Sequence, residues 1–359
     1  MADLPVRLDR AGAWRVYLGG SLIRELNGEP GTKDDHFPEE WIVSTTAAKG
    51  NCAEGGDGLS RILPDGSLTL SDLIRTDPVR FLGTSFVKRN GENTGVLLKL
   101  LDAAERLNVQ IHPDRDTAMQ YWNSPFGKTE CWHFLYGRPI EGQLPRVYLG
   151  LREYVTKDLL RKAFESEDSR RILDCMYSFP AVPGETVLVD GGIPHAIGAG
   201  CFLLELQEPT DLTLRLEKAT SSGTRVDDVI CHLGMGFDAM FDSIRYEHMP
   251  EDEIRRRYFI PPKVLLKANG GCVTQLLGYD RCPYFSFEQI DVQTELEVRA
   301  SSVFSGLFIL SGHGFLSAVQ SRIPLSPGDQ FFLPAAAGDL RFTVQSPMRM
   351  IRFYGPQTA

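Results

Sequence analysis

The segment 108–136 concentrates residue types that bind metals. Gln110 and His112 stand two residues apart in a run that ends at a proline. Because side chains alternate between the two faces of a strand, this spacing presents both groups on one face. On a helix the same pair would diverge, so the spacing favours a strand.

Glu130 opens an aromatic-rich run in the same segment. On a strand, Glu130 shares one face with Phe134 and Tyr136, whereas His133 falls on the opposite face and is expected to be structural. A histidine and a glutamate from neighbouring strands supply two ligands of a His₂Glu zinc site. We expect the third ligand to be a histidine on a later strand, and His195 is the candidate.

The elements that must position these groups belong to an ordinary globular chain. Its 359 residues can form one large or two modest cores, and 42% of them are hydrophobic and 24% charged. A net charge of −9 argues against a nucleic-acid partner. We find no signal peptide or apolar run of membrane-spanning length, and the seven cysteines contain no C-x-x-C pair. We therefore expect a cytoplasmic protein with reduced thiols, away from membranes, that is a monomer or weak homo-oligomer.

The hydrophobic pattern predicts mostly strands with two helical interruptions. Residues 14–83 alternate short apolar runs with glycine-rich turns, which predicts short strands and loops, the best strand being 38–45. Thr156 can cap a helix whose apolar residues have helical spacing, and Ser169 can cap a second one. Another helical or linking stretch follows the strands that contain His195.

Two stretches of the chain repeat one another: PGETVLVDGGIPH, which ends at His195, and PGDQFFLPAAAGD, which ends at Asp339. Each has Pro-Gly-acid, a polar residue, three apolar residues, a small-residue turn and a polar endpoint at the same offset. We interpret them as parts of two related β-barrels, of which only the first carries a metal-binding histidine. We expect apolar residues to fill the second barrel, with these contributors: Leu307, Ile309, Phe332 and Leu333.

The spacing of Gly184, Gly192 and His195 resembles the second cupin motif. Cupins are double-sheet β-barrels, so the expected fold is mainly β, with two cupin-type (jelly-roll) barrels, a helical insertion and a helical linker. The expected domains are a catalytic barrel at 1–150 and 179–224, an insertion at 151–178, a linker at 225–263, and a barrel without a metal site at 264–359.

Within the cupins, the sequence resembles type I mannose-6-phosphate isomerases, in particular the short bacterial form. The resemblance extends from Trp14 to Arg215, with a weaker echo in the C-terminal barrel. It rests on LLKLLDAAERLNVQIHPD, GKTECW, HAIG and the strand pair ELQ…DLTLR. It implies one zinc ion per chain, with these ligands: Gln110, His112, Glu130 and His195.

The same resemblance implies a sugar-phosphate pocket. Its catalytic residues would be Lys128, Glu205 and Arg215, and Lys99, Asn108 and Lys128 would bind substrate. Two departures from the family bear on the substrate: Asn108 replaces a serine, and Asp-Gly-Gly-Ile-Pro at 190–194 replaces Pro-Ala-Gly-Thr-x.

The implied reaction interconverts mannose 6-phosphate and fructose 6-phosphate through an enediol, and a metal and cations would stabilise negative charge on the sugar oxygens. Arg215 suits that task because its fork holds two oxygens, and Lys128 suits phosphate or oxyanion contact. Glu205 is either a base or a carboxylate that orients a neighbour. Alternatively, Glu205 and Arg215 form only a cross-strand ion pair on a solvated face.

Two other functions fit a cupin with these residues. A cupin oxygenase or decarboxylase would use iron or manganese, but its first motif usually has two close histidines, whereas this chain has Gln-x-His. A non-catalytic sugar-binding or regulatory cupin is the third hypothesis. Lys128, Glu130 and Arg215 beside the candidate ligands argue against it.

Overall fold

The computed structural model describes residues 4–29, 31–49, 57–318 and 321–358. In these residues the strands form sheets of seven, five, seven and four strands. The seven-stranded sheet that contains Glu130 packs on the five-stranded sheet, and these two sheets form the first barrel. The other seven-stranded sheet packs on the four-stranded sheet to form the second barrel. The prediction of a mainly β protein with two double-sheet, cupin-type barrels is confirmed.

The elements follow one another along the chain. The region before residue 91 forms β1 (Val6–Leu8), β2 (Ala11–Ala13), α1 (Ser21–Leu26), β3 (Glu39–Ile42), α2 (Leu70–Thr76), α3 (Pro78–Leu82) and α4 (Thr84–Asn90). The following region forms β4 (Leu97–Asp102), β5 (Gln110–Ile111), α5 (Arg115–Trp122), β6 (Glu130–Gly137), β7 (Arg146–Leu151), α6 (Lys157–Glu165), α7 (Ser169–Asp174), β8 (Met176–Pro180), β9 (Thr186–Val189), β10 (His195–Ile197), β11 (Cys201–Gln207) and β12 (Leu214–Arg215).

A helical stretch and then further strands complete the chain. The helices and the short strand after them are α8 (Asp228–His232), α9 (Phe237–Asp242), α10 (Glu251–Tyr258) and β13 (Phe259–Ile260). The remaining strands are β14 (Lys263–Ala268), β15 (Gly271–Leu277), β16 (Ser286–Val292), β17 (Glu295–Val298), β18 (Ser305–Ser311), β19 (Gly314–Ala318), β20 (Ser321–Leu325), β21 (Gln330–Leu333), β22 (Leu340–Val344) and β23 (Met348–Tyr354).

The two barrels have corresponding strand orders. The large sheets run β13-β9-β6-β11-β4-β3-β2 and β1-β21-β18-β23-β16-β15-β14, and the small sheets run β12-β5-β10-β7-β8 and β17-β22-β19-β20. The repeated stretches of the sequence supply β9 in the first barrel and β21 in the second. Each occupies the same place in its sheet, so the internal repeat is a repeat of the fold.

The repeat also holds at the level of single side chains. In β9, Val187 and Val189 point into the first barrel, whereas Leu188 packs in the core between the barrels. In β21, Phe331 and Leu333 point into the second barrel, and Phe332 packs in the core between them. The expectation that Phe332 fills the second barrel is therefore wrong, because neighbouring residues of a strand face opposite sides.

The backbone register extends the repeat to a pair of buried charges. Lys99 lies opposite Glu205, and at the corresponding positions of the second barrel Glu288 lies opposite Arg352. The acid and the base have exchanged strands. The ion-pair distance is 2.9 Å between Lys99 Nζ and Glu205 Oε1, but 4.0 Å between Arg352 Nη1 and Glu288 Oε1.

The core between the barrels is built from the outer faces of the two large sheets and from α2–α4. The expectation of only short strands and loops over 14–83 was wrong, since helices occupy much of this range. Thr69 and Asp72 form a capping box at the start of α2, and Asp77 precedes Pro78 at the start of α3. These are sequence signals for helix starts, but the glycine-rich turns around them suggested strands.

The predicted helix caps and domain limits had different outcomes. Thr156 caps α6 as predicted, whereas α7 is capped by Asp168 and begins at Ser169. Strand β1 pairs with β21 of the second barrel although its residues fall in the range expected for the first, and the domain limits stay a prediction. Among the described helices, none combines the length and the hydropathy needed to cross a membrane.

Phe332 tests the contribution of the core between the barrels. We expect Phe332→Ala to lower the free energy of unfolding by about 3–5 kcal/mol, because it leaves a cavity beside Phe81 and Phe304. Phe315→Ala, at a partly exposed position of the second barrel, should cost much less. Urea unfolding followed by tryptophan fluorescence measures both, and equal losses would contradict this assignment of Phe332.

Candidate metal centre and active-site pocket

Three of the predicted ligands converge inside the first barrel. His112 Nε2 lies 3.0 Å from Glu130 Oε2, and His195 Nε2 lies 3.3 Å from Glu130 Oε1. The candidate ligand atoms of this triad all lie within 4.8 Å of one another, and the three residues are buried. The sequence spacing had predicted this grouping.

The two sheets of the first barrel deliver the triad from opposite sides. Glu130 begins β6 of the large sheet, whereas His195 begins β10 of the small sheet and pairs with Gln110 of β5. His112 follows β5 directly, and its carbonyl oxygen accepts a hydrogen bond of 2.7 Å from the Gly192 N–H. The two loops that hold the histidines are therefore tied to each other.

The departure from the family at 190–194 belongs to this close packing. A Cβ added at Gly191 would lie 2.7 Å from the backbone nitrogen of Asp114, and Gly192 has φ +84. Gly191 is needed where the chain approaches the loop that follows His112, whereas Gly192, which the family pattern shares, is needed for its positive φ. The departure therefore shapes the support of His195.

The histidines are held in the form that binds a metal. Nδ1 of His112 donates to the carbonyl oxygen of Leu212 at 2.9 Å, and Nδ1 of His195 donates to that of Ile193 at 2.8 Å. Each Nε2 then carries a lone pair and faces the centre of the triad. Burial and the neighbouring Lys128 ammonium lower the pKa of His112 to about 3, and burial lowers the pKa of His195.

Glu130 is the negative member of the triad. Burial alone would raise its pKa, but the Lys128 ammonium holds the pKa well below its ordinary value. Trp132 Nε1 donates to Oε1 at 3.0 Å, and Lys128 Nζ donates to Oε2 at 2.6 Å. The carboxylate is therefore ionised and fixed in direction.

The donor set fits a zinc ion. Two imidazole nitrogens and a carboxylate are the three protein ligands of one common kind of catalytic zinc site. Lys128 Nζ lies 2.7 Å from His112 Nε2 and 2.6 Å from Glu130 Oε2, so these atoms already hold a positive charge between them. Gln110 Nε2 lies 3.3 Å from His195 Nε2, and its amide would have to turn over to offer oxygen to a metal.

A pocket of about 460 Å³ lies next to the triad, and Gln110 and Lys128, which contact the triad, belong to its lining. Lys99, Asn108, Glu205 and Arg215, which the sequence predicts as site residues, also line it. Asn108 Nδ2 donates to the carbonyl oxygen of Ala219 at 2.8 Å. All predicted substrate and catalytic residues are thus in one cavity, although their roles stay predictions.

Lys99 and Glu205 belong to a buried ionic network on one wall of the pocket. Lys99 Nζ lies 2.9 Å from Glu205 Oε1 and 3.7 Å from Glu39 Oε2. Burial opposes a charged Lys99, but Glu205 and Glu39 outweigh it and raise its pKa. Burial and the negative charge of Glu130 raise the pKa of Glu205 above its ordinary value.

Sequence reasoning missed the far end of this network. Glu39 Oε1 accepts hydrogen bonds from Arg15 Nε at 2.9 Å and from the Tyr17 hydroxyl at 2.7 Å, and Arg15 Nη2 lies 3.6 Å from Asp211 Oδ2. Only the strand that carries Glu39 had been recognised. The sequence signal for this part of the network was Glu39, a charged residue within the apolar strand predicted at 38–45.

Arg215 stands apart from the network. Its Nη1 donates to the carbonyl oxygens of Thr213 and Ile230, each at 3.2 Å, and burial lowers its pKa. Glu205 pairs with Lys99 instead, so the alternative of a Glu205–Arg215 ion pair on a solvated face is wrong. Among the described residues no carboxylate lies within ion-pair distance of Arg215, although the negative charge of Asp211 is close enough to favour its charged form.

Strand β6 obeys the predicted alternation only in part. His133 points away from the triad, where it contacts Thr186 and Phe287, as expected for a structural residue. Tyr136 was expected on the face of Glu130, but it packs against Phe202 on the other side. The register of β6 and β11 shifts between Phe202 and Leu203, and this bulge reverses the alternation.

The comparisons with known proteins agree with this geometry. The family model "Phosphomannose isomerase type I, catalytic domain" matches residues 27–126, and "Mannose-6-phosphate isomerase, cupin domain" matches 277–355. The chain is 25% identical over 256 residues to mannose-6-phosphate isomerase ManA of Bacillus subtilis, covering 71% of this chain and 74% of ManA. Two models of phosphomannose isomerase domains thus match separate parts of the chain, and the curated relatives are mannose-6-phosphate isomerases.

Further relatives cover nearly the whole chain. The probable mannose-6-phosphate isomerase GmuF of Bacillus subtilis is 26% identical over 330 residues, which is 91% of this chain and 92% of GmuF. The crystal structure of mannose 6-phosphate isomerase from Bacillus subtilis superposes with a TM-score of 0.76 at 22% identity and covers 98% of this chain and 99% of that one. A putative mannosephosphate isomerase from Archaeoglobus fulgidus has a TM-score of 0.73 at 18% identity, with 99% of both chains covered. Both solved structures share the fold.

The buried histidines predict an acid-side loss of stability in the metal-free protein. A pKa of about 3 for folded His112, against the ordinary 6.5, means that the unfolded chain takes up the proton first as pH falls. The stabilisation is complete above pH 6.5 and is lost toward pH 3, by up to about 1.4 kcal/mol per unit. Urea unfolding between pH 7 and 4 should give a steeper dependence for the parent than for His112→Gln, and equal slopes would contradict the assignment.

Proposed function

We propose that the chain is a zinc-dependent isomerase that interconverts mannose 6-phosphate and fructose 6-phosphate by proton transfer between C1 and C2 of the open-chain sugar. The observation that carries the proposal is the buried triad of His112, Glu130 and His195, whose neighbours Gln110 and Lys128 line a pocket that contains further cations. The similarity to the phosphomannose isomerase models and to the curated mannose-6-phosphate isomerases supports the reaction and the substrate.

Three parts of the site divide the work. When bound, zinc would supply a Lewis acid for the negative charge that develops on the sugar oxygens. The triad would hold it, and Gln110 stands beside His195 as a further donor. The pocket volume of about 460 Å³ is of the size that binds small molecules.

Glu205 is our candidate for moving the proton between the two carbons. It is buried, it lines the pocket, and its pKa is raised, which brings it closer to the pH at which a general base works best. Lys99 fixes one of its oxygens at 2.9 Å. Lys99 therefore holds the carboxylate in one orientation, but it pairs with only one of the two carboxylate oxygens.

Lys128 and Arg215 are the cations that we assign to the substrate's oxygens. Lys128 lies at the triad, so its ammonium is placed for the oxygens near the reacting carbons. Arg215 leaves part of its guanidinium fork free of protein carboxylates, and phosphate matches that fork. In this assignment Lys128 serves the reacting end of the sugar and Arg215 the phosphate, with Lys99 and Asn108 on the wall between.

The free thiols support a reducing compartment, and we propose the cytoplasm. In the described residues six cysteines are free, and five of them are buried. The substrate partner would be a small sugar phosphate.

Metal content and activity should depend on the same three residues. Alanine at His112, Glu130 or His195 should remove bound zinc and the conversion of mannose 6-phosphate together, because each deletes one of three ligands. Metal analysis and a coupled assay for fructose 6-phosphate measure the two properties. Zinc retained by His195→Ala would overturn the ligand assignment.

The second barrel supplies a matched control. Asp339 occupies the repeat position of His195, but it is exposed and its Oδ1 accepts a hydrogen bond from the Ala300 N–H at 2.6 Å. We expect Asp339→Ala to keep both zinc and activity. A second zinc ion per chain that is lost in this variant would contradict a single metal site.

Removing a pocket cation should separate catalysis from metal binding. We expect Lys128→Ala and Arg215→Ala to retain zinc while kcat/KM falls about 10²-fold or more, the scale of a lost oxyanion contact. Arg322→Ala, at an exposed arginine of the second barrel, should match the parent. Normal turnover in both pocket variants would mean that the substrate binds elsewhere.

A further inference from the structure

The backbone of Thr129 connects two charged residues at the candidate metal centre, Lys128 and Glu130. Glu208 holds both peptide groups that flank the Thr129 Cα, the one that joins it to Lys128 and the one that joins it to Glu130. The Thr129 N–H donates to Glu208 Oε2 at 3.0 Å, and the Glu208 N–H donates to the Thr129 carbonyl oxygen at 3.1 Å. The orientation of the Thr129 peptide fixes where the neighbouring side chains start, so Glu208 helps to aim both.

Glu208 is fully buried, and a buried carboxylate needs a partner to remain ionised. That partner is Arg115 at the first turn of α5, whose Nε donates to Glu208 Oε1 at 2.7 Å. An ionised carboxylate is also the stronger acceptor for the Thr129 N–H. Arg115 therefore acts on the Thr129 backbone by fixing one oxygen of Glu208 while the other oxygen accepts from the Thr129 N–H.

The second barrel holds Arg115 in turn. The guanidinium carbon of Arg115 lies 3.9 Å from the centre of the Tyr284 ring, and Tyr284 belongs to the segment just before β16. Arg115 Nη2 is buried without a hydrogen-bond partner among the described residues, and the ring of Phe126 in the first barrel lies farther from the guanidinium, at 5.8 Å. A cation held over an aromatic face within about 6 Å is attracted by the ring.

We propose that Tyr284, Arg115 and Glu208 form a clamp through which the second barrel positions the metal centre of the first. The ring of Tyr284 holds Arg115, Arg115 holds one oxygen of Glu208, and the other oxygen and the N–H of Glu208 hold the Thr129 backbone. The three residues are positioning residues, since none of them belongs to the triad. The proposal rests on the proposed function in so far as Lys128 and Glu130 serve catalysis.

The clamp is tested by variants that remove one contact at a time. Tyr284→Leu removes the aromatic face, Arg115→Met keeps the length of the side chain without its charge, and Glu208→Gln keeps an acceptor without its charge. Tyr284→Phe is the conservative control because it keeps the ring. Arg322→Met is the matched control, because it removes a different arginine that lies 3.7 Å from the ring centre of Phe315 in the second barrel.

The first measurement is amide hydrogen exchange over residues 127–133 in the metal-free protein. We expect the Thr129 amide to exchange at least tenfold faster in Tyr284→Leu, Arg115→Met and Glu208→Gln than in the parent and the two controls. Parent-like exchange in Arg115→Met and Tyr284→Leu would overturn the clamp. Equal acceleration in Arg322→Met would do so too, because it would reflect general loosening of the second barrel.

The second measurement is zinc affinity by competition with a chelator, together with kcat and KM. Supporting groups around metal ligands typically contribute 10–100-fold in affinity, so we expect about tenfold weaker zinc binding in the three clamp variants. With saturating zinc, kcat of the three clamp variants should fall while KM changes little. Tyr284→Phe should match the parent in both zinc affinity and kcat. If the parent fails to isomerise mannose 6-phosphate, the proposed function is wrong, whereas the exchange rates still decide the clamp.

Discussion

Burial on both faces is the constraint on which this structure depends. The large sheet of the first barrel turns one face to the metal centre and the other to the core between the barrels. Strand alternation therefore assigns consecutive residues to catalysis and to packing in turn. Glu130 faces the triad, its neighbour Cys131 packs in the core between the barrels, and Trp132 faces inward again to donate to Glu130. A change in register would exchange the two tasks along the whole strand.

The same burial explains why the charges of the pocket occur in pairs. A charge removed from water must be compensated nearby, and Lys99 meets Glu205 and Glu39 within the wall of the first barrel. Lys128 is compensated by Glu130 in the same way. Arg215 differs because its described partners are carbonyl oxygens, which leaves its positive charge for a ligand. Lys99 and Lys128 are thus held by protein carboxylates, whereas Arg215 is the cation that we assign to phosphate.

The second barrel shares the framework of the first but not its candidate ligands. Ser305 stands at the register position of Glu130, and Asp339 at the repeat position of His195. Glu288 and Arg352 keep a buried acid–base pair, with the charges exchanged between strands. What remains shared is packing, since Leu188 and Phe332 enter the same core from equivalent strands. The contacts of this barrel with the first, Tyr284 on Arg115 among them, are the means by which it can influence the site.

The sequence by itself determined the elements of the site that depend on short spacing. Two-residue alternation grouped Gln110 with His112, and the internal repeat located β9 and β21, because strand geometry makes these relations local. Only the tertiary structure decided three other features: the bulge that turns Tyr136 away, the helices α2–α4, and the partners of Glu205. They depend on which strands and surfaces meet, and Glu39, Lys99 and Glu205 come together only when three distant strands pair in one sheet. Side-chain pairing across a sheet is set by this tertiary register, which no short stretch of sequence contains.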